Sequence, residues 1–382
     1  MNAHLAYMTG RSFVFDNFTW SRGNAGGLDE FNGRLIPAEI PTTALISGPV
    51  VGGPFPKNDS MLRAIKKTYW HQICPEPYKV RKEDINPTMP DQPTALTMLN
   101  TWIDVINKID NPCVQIDGYD SRVFDMYVYG DPRRYVDIWP SLRQSPVVQY
   151  WGYSPLIHEA YEANKALISG RPTPLSEPYY FCNSPQAGAN GEVHAGPYRC
   201  SDPYAPLPGL LALHIRRGDF ENHCRHLANW SSEWNGINLL PELPDRFVIP
   251  DGSGGGQATP SAMAHYLKRC YPDMKQIVEK LDDVRRSEAG KGLSEVYVMT
   301  NGKLEWANEL KAAIMKMGGW NKVVSSRDLV LTREQREVGQ AVDMMIGERA
   351  QVVIGNGWSS LTSGIVMMRL ARGHSLESNR FW

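Results

Sequence analysis

From Leu210 onward the chain alternates continuous apolar runs of strand length with stretches of helix length, and few folds accommodate that alternation. Leu210–Ile215, Val296–Thr300, Lys322–Ser325 and Gln351–Gly355 read as short buried strands. Thr259-Pro260 opens a predicted helix of about twenty-five residues, with Thr259 as the cap and Pro260 at the first helical position. Further helices are predicted over 304–317, 333–349 and Ser359–Arg372. Strands that take turns with helices of this length form a parallel sheet covered on both faces, so the C-terminal half is predicted to be Rossmann-like.

The N-terminal half is less regular. Residues 2–9 read as the end of a helix closed by Gly10, followed by a strand from Ser12 to Asp16. Residues 20–60 are rich in Gly and Pro, with one apolar run at Thr43–Ser47. A helix is expected at 93–109, strands near 112–116 and 123–129, and a second helix at 155–168 that ends by Gly170. Residues 170–208, dense in Gly, Pro, Ser and Asn, read as a linker. At roughly 150 residues per domain, a chain of 382 residues divides naturally into units at 1–200 and 201–382.

Composition removes several functions. A net charge of −1 gives no electrostatic basis for nucleic-acid binding. No apolar run is long enough to span a membrane, and the opening MNAHLAYMTGRSFVF lacks the features of a signal peptide, so any secretory signal or anchor is expected upstream. Six cysteines (Cys74, Cys113, Cys182, Cys200, Cys224 and Cys270) form no CxxC pair and fit either disulfides or buried thiols. Three Asn-x-Ser/Thr sequons, at Asn17, Asn58 and Asn229, tilt the reading toward a secretory lumen, ER or Golgi. The many Trp and Tyr residues suit sugar faces, but they suit cores at least as well.

Three segments can carry chemistry. In Leu213-His214-Ile215-Arg216-Arg217-Gly218-Asp219 an apolar strand runs into two arginines. Ligands of open α/β sheets sit beyond the carboxyl ends of the strands, and a guanidinium there can grip a phosphate with paired hydrogen bonds. The alternative is a surface Arg–Asp pair. The embedded Arg-Gly-Asp tripeptide abuts a buried strand and argues little for adhesion. In Val352–Thr362 a buried strand meets Asn356-Gly357 and then a helix opening with Ser359, Ser360 and Thr362. Free N–H groups and hydroxyls at such a start bind anions, although a Ser there also serves as a plain cap. In Val296–Asn301 a strand ends in Thr300-Asn301, where Asn301 either reads a base or ribose edge or simply makes a turn. Three strand ends of one sheet share one rim, so these groups can converge on a diphosphate. The sequence holds no Asp-x-Asp triplet, so arginine and the helix dipole would stabilise a departing sugar diphosphate without a metal.

These segments resemble the three short motifs of protein O-fucosyltransferases and the α1,6- and α1,2-fucosyltransferases: a His-x-Arg strand end, a Val-x-x-Thr-Asp-like strand end and a Gly-Asn-x-x-Ser-Ser-x-Thr/Ser turn. The match spans residues 210–372. The resemblance implies an α/β protein of GT-B type, two Rossmann-like domains facing across a cleft. It implies a metal-independent, inverting transfer of fucose from GDP-fucose to a hydroxyl of a protein or glycan acceptor. Arg216 then corresponds to the catalytic arginine on the β-phosphate. His214 corresponds to the motif histidine, a nucleotide or structural contact, and Ser359, Ser360 and Thr362 to the phosphate-binding turn. Arg217, Asn356 and Asn301, the last standing where an aspartate is common, complete the candidate nucleotide-binding set. Asp343, on the helix before the last strand, reads as structural.

The family's opening strand and acceptor loop are expected to be missing, because the chain begins inside the helix that follows them and keeps only Thr9-Gly10-Arg11-Ser12 of its closing turn. Asp16, Asp117 and Asp219 are conceivable acceptor bases. Two other readings stay open: a nucleotide-sugar-binding pseudoenzyme, and a non-catalytic carbohydrate-binding protein.

Overall fold

Five parallel strands form the main sheet, in the spatial order Lys322–Ser325, Glu295–Thr300, Leu207–Ile215, Ala350–Gly355 and Asn379–Phe381. The computed structural model describes residues 1–20, 27–31, 34–53, 59–118, 122–169 and 202–382. Most of the expected linker, together with Cys182, Cys200 and Asn58, lies outside the described residues.

The central strand, Leu207–Ile215, is buried from Leu210 onward because helices cover both faces of the sheet. Leu210 and Ala212 share one core with Tyr297, Met345 and Ile365. Leu211, Leu213 and Ile215 share another, on the opposite face, with Ile277, Leu281 and Ile354. This two-sided burial is why the strands read as continuous apolar runs rather than as alternating ones.

The order departs from expectation at the sheet edge and in the helices. The strand Asn379–Phe381 was not expected; it pairs with Ala350–Gly355, and the fully buried Arg369 anchors it by donating Nε to Asn379 Oδ1 at 2.8 Å. The long helix expected from Pro260 is two helices, Pro260–Cys270 and Met274–Arg286. Pro272 cannot continue the first, and a capping box between Asp273 and Gln276 starts the second. The helix expected at 333–349 likewise breaks at Val338 into Arg333–Glu337 and Gly339–Arg349.

In the N-terminal half the described residues make two separate parallel pairs, Phe13–Phe15 with Ala64–Lys66 and Tyr78–Arg81 with Val114–Asp117. The helices Ala95–Ile106 and Pro155–Ile168 fall where they were expected. The strand expected near 123–129 is instead a 3-10 turn, Met126–Tyr129, because the Asp125 carboxylate caps Val128 N–H at 3.0 Å. The halves share a core in which Leu5, Trp102 and Trp139 join Phe220, Trp234 and Phe381. Disulfides link Cys74 to Cys113 and Cys224 to Cys270. Among the described residues no helix is long and apolar enough to cross a membrane.

Candidate active site

The chain leaves the central strand toward one edge of the sheet and returns to its other side with Ala350–Gly355, so the strand order reverses between these two neighbours. A reversal of this kind opens a crevice at the carboxyl ends of the two strands, where ligands of open α/β sheets bind. Arg216 follows one of these strands and Asn356–Thr362 the other. The two strongest sequence motifs therefore flank the switch point.

Four residues build the floor. His214 is buried, and its Nδ1 shares a 2.8 Å hydrogen bond with Thr362 Oγ1. The same Thr362 oxygen accepts the Asn356 N–H at 3.2 Å. Asn356, also buried, accepts Trp358 N–H on its Oδ1 and donates its Nδ2 to Cys270 O, at 3.0 and 2.8 Å. Trp382 donates its indole N–H to His214 O at 2.9 Å. Burial first, and the Arg216 charge second, hold the His214 imidazole down at about 3, so it is neutral.

The helix start lies beside this floor. Ser359 precedes the helix Ser360–Ala371, and its side chain makes no capping hydrogen bond. No acidic residue occupies the first turn, so the positive end of the helix dipole is unopposed there. Ser360 is exposed, while Ser359 and Thr362 are buried. Gly357 and Trp358 turn inward: Trp358 stacks on Tyr266 with ring centroids 5.3 Å apart and donates Nε1 to Ser232 O at 3.0 Å.

The two arginines have opposite surroundings. Arg216 keeps 36% of its side chain exposed, and its guanidinium makes no hydrogen bond among the described residues. Its Nη2 stands a long 3.9 Å from Asp219 Oδ1, and its Cζ lies 4.7 Å over the Phe220 ring. The expected Arg–Asp pair is therefore loose, which leaves the cation available. Arg217 is buried between the rings of Tyr271 and Trp306, 4.4 and 4.3 Å from their centroids. Its Nη2 donates to Pro272 O at 2.6 Å, and burial pulls its pKa down to about 10. A side chain so enclosed does not reach an external partner, which removes the Arg-Gly-Asp adhesion reading.

Asn301 does turn chemistry: its Oδ1 accepts Arg217 N–H at 2.7 Å and its Nδ2 donates to Arg217 O at 3.1 Å. It fixes the backbone just after Arg216. Asp343 is buried against Tyr297 OH and Ser326 Oγ, at 2.5 and 3.0 Å, and burial raises its carboxyl to about 6. Of the three conceivable bases, Asp219 is the one beside Arg216. Asp16 is paired with Lys67 at 2.9 Å, and Asp117 closes the strand Val114–Asp117 in the N-terminal half. Sequence reasoning missed the Cys270–Pro272 corner and Trp382. The Pro at 272 was the available signal for the first; nothing local marked the second.

A mixed α/β protein with a parallel sheet is thereby defined. The crystal structure of POFUT1 in complex with GDP-fucose is similar to this chain with a TM-score of 0.50 and 14% identity, covering 99% of this chain and 91% of that one. A crystal structure of POFUT1 in complex with GDP aligns with a TM-score of 0.48 and 13% identity, over 100% and 92% of the two chains. The sequence matches no protein-family model and no curated protein.

Proposed function

We propose that this chain is a metal-independent, inverting glycosyltransferase that moves fucose from GDP-fucose to a hydroxyl of a protein or glycan acceptor. The observation that carries the reading is Arg216, a partly exposed side chain whose guanidinium has a buried Nε and no hydrogen-bond partner among the described residues, at the switch point beside an uncapped helix start. Phosphate is the ligand chemistry that satisfies both. The choice of guanine and fucose comes from the motif resemblance and from the fold shared with POFUT1.

In this reading residues 201–382 hold the nucleotide sugar and residues 1–200 present the acceptor. Arg216 grips the β-phosphate. Ser359 and Ser360 offer hydroxyls to the phosphates and the first helical turn its free N–H groups, while Thr362 fixes the turn from below. His214 and Asn356 hold that turn in shape, while Asn301 and Arg217 fix the strand end. The acceptor oxygen bonds to the anomeric carbon as the bond from that carbon to the phosphate oxygen breaks. The diphosphate leaves with the electron pair, its growing charge met by Arg216 and the helix dipole. Asp219 is the candidate to take the acceptor proton. The two disulfides and the sequons support a secretory compartment.

The test is release of GDP from GDP-fucose, followed with a panel of folded protein domains and glycans as acceptors in the presence of a chelator. Transfer to at least one acceptor, abolished in Arg216→Ala, supports the proposal. Binding without turnover on any acceptor would move the pseudoenzyme reading ahead.

A further inference from the structure

Of the three sequons, those at Asn17 and Asn229 lie within the described residues, and their surroundings differ. Asn17 precedes the two-residue strand Phe18–Thr19, which pairs antiparallel with Glu39–Ile40. In that register Thr19 faces Glu39, and Phe18 faces the buried Ile40. Side chains alternate along a strand, so Thr19 lies on the face opposite Ile40. Asn17 shares that face, where its Nδ2 donates to Glu39 Oε1 at 3.3 Å. That bond uses one of the two amide hydrogens. The other has no acceptor among the described residues, and Thr19 is exposed.

Asn229 is the last residue of the helix Phe220–Asn229 and lies under a loop. Its Oδ1 accepts Ala258 N–H at 2.9 Å, and its carbonyl accepts Gly256 N–H at 3.0 Å. Gly254 N–H reaches Ala228 O at 3.1 Å, and Ser231, the third residue of the sequon, has a left-handed φ of 51°. The loop therefore packs against the Asn229 amide and the backbone on either side of it.

We propose that Asn17 carries an N-linked oligosaccharide and that Asn229 does not. The donor class is a lipid diphosphate oligosaccharide. A bond forms between Asn17 Nδ2 and the anomeric carbon of the first sugar, and the bond from that carbon to the phosphate oxygen breaks. The lipid diphosphate leaves with the electron pair, and the displaced amide proton passes to a base of the transferring enzyme. This inference rests on the secretory part of the proposed function. Its test is therefore set up so that native localisation and GDP-fucose chemistry do not enter.

The full chain is led into the lumen of a eukaryotic cell by a cleavable signal sequence, and both secreted and retained protein are collected. Removal of N-glycans in heavy-oxygen water marks each occupied asparagine for mass spectrometry. The expected result is a mark on the Asn17 peptide, none on the Asn229 peptide, and a gel shift smaller by one glycan in Asn17→Gln and Thr19→Ala but unchanged in Thr19→Ser and Asn229→Gln. An unmarked Asn17, or a glycan on Asn229, overturns the proposal. GDP titration of the same sample reports separately on the nucleotide site.

Discussion

His214 Nδ1 and Thr362 Oγ1 lie 2.8 Å apart and tie the end of the central strand to the first turn of the helix after the neighbouring strand. The bond bridges the switch point beneath the candidate phosphate site. Because Thr362 also accepts the Asn356 N–H, one hydroxyl sets the shape of the whole turn. Thr362→Val keeps the volume and removes both bonds. It is expected to destabilise the fold by about 1–3 kcal/mol, the range for leaving buried polar groups unpaired, and to weaken GDP binding beyond what the loss of fold accounts for. Denaturant unfolding together with nucleotide titration separates the two effects.

Acidification should loosen the molecule earlier than the carboxylates alone would dictate. Burial lowers His4, His158 and His374 to about 4 and His214 to about 3, all from 6.5. A depressed histidine pKa means that the unfolded chain binds the proton more readily. The stability these groups give is full above pH 6.5 and is lost as the pH falls through about 4 to 3. Asp343, raised to about 6 from 3.8, acts in the opposite sense, stabilising below 3.8 and losing that contribution by about 6. Glu348 is also raised by burial. With His223 and His265 also lowered by burial, six histidines against two carboxyls give a net fall in the unfolding midpoint between neutral pH and about pH 4. A midpoint that is flat or rising over that interval would contradict this balance.

Arg217→Ala should behave as a fold mutation. It empties the slot between Tyr271 and Trp306 and leaves Pro272 O without its donor. A loss of about 2–4 kcal/mol in unfolding free energy is expected from the buried hydrogen bond and the cation–π contacts together. Arg216→Ala, at a half-exposed position without hydrogen bonds, should leave the thermal midpoint nearly unchanged. A reversal of these two outcomes would exchange the roles assigned to the two arginines.

Gly357→Ala tests the inward packing of the turn. A methyl group at Gly357 would overlap the buried Trp234 ring, which has little room to retreat because Phe381 lies 4.6 Å away on the aromatic cluster. Overpacking of this kind is expected to cost about 1–3 kcal/mol and to move Trp358 and the helix start together. Tryptophan fluorescence and GDP affinity should then change in parallel.

The central sheet was legible because buried parallel strands declare themselves as unbroken apolar runs, as in Leu210–Ile215 and Val352–Ile354. The edge strand was not, since three residues beginning with Asn379 carry no pattern and its place is fixed by Arg369 and by Asp245, which binds Arg380. The single helix expected through Tyr271-Pro272 rested on its Thr259 cap and Pro260 start, and Pro272 with the Asp273–Gln276 capping box divides it. Arg216 and the Ser359–Thr362 start could be found because both follow strands. Trp382 and the Cys270–Pro272 corner could not, because tertiary folding brings them to His214, Asn356 and Arg217 from up to 168 residues away. The separate roles of Arg216 and Arg217 were equally hidden, since adjacency in sequence says nothing about which side chain the fold encloses.

The most direct test of the phosphate site is calorimetric titration of the chain with GDP, with UDP and ADP as controls and a chelator present throughout. The account predicts GDP binding without metal, little response to UDP or ADP, and loss of binding in Arg216→Ala while that variant melts like the parent. Undiminished GDP binding by Arg216→Ala, or no nucleotide binding by the folded parent, would contradict it.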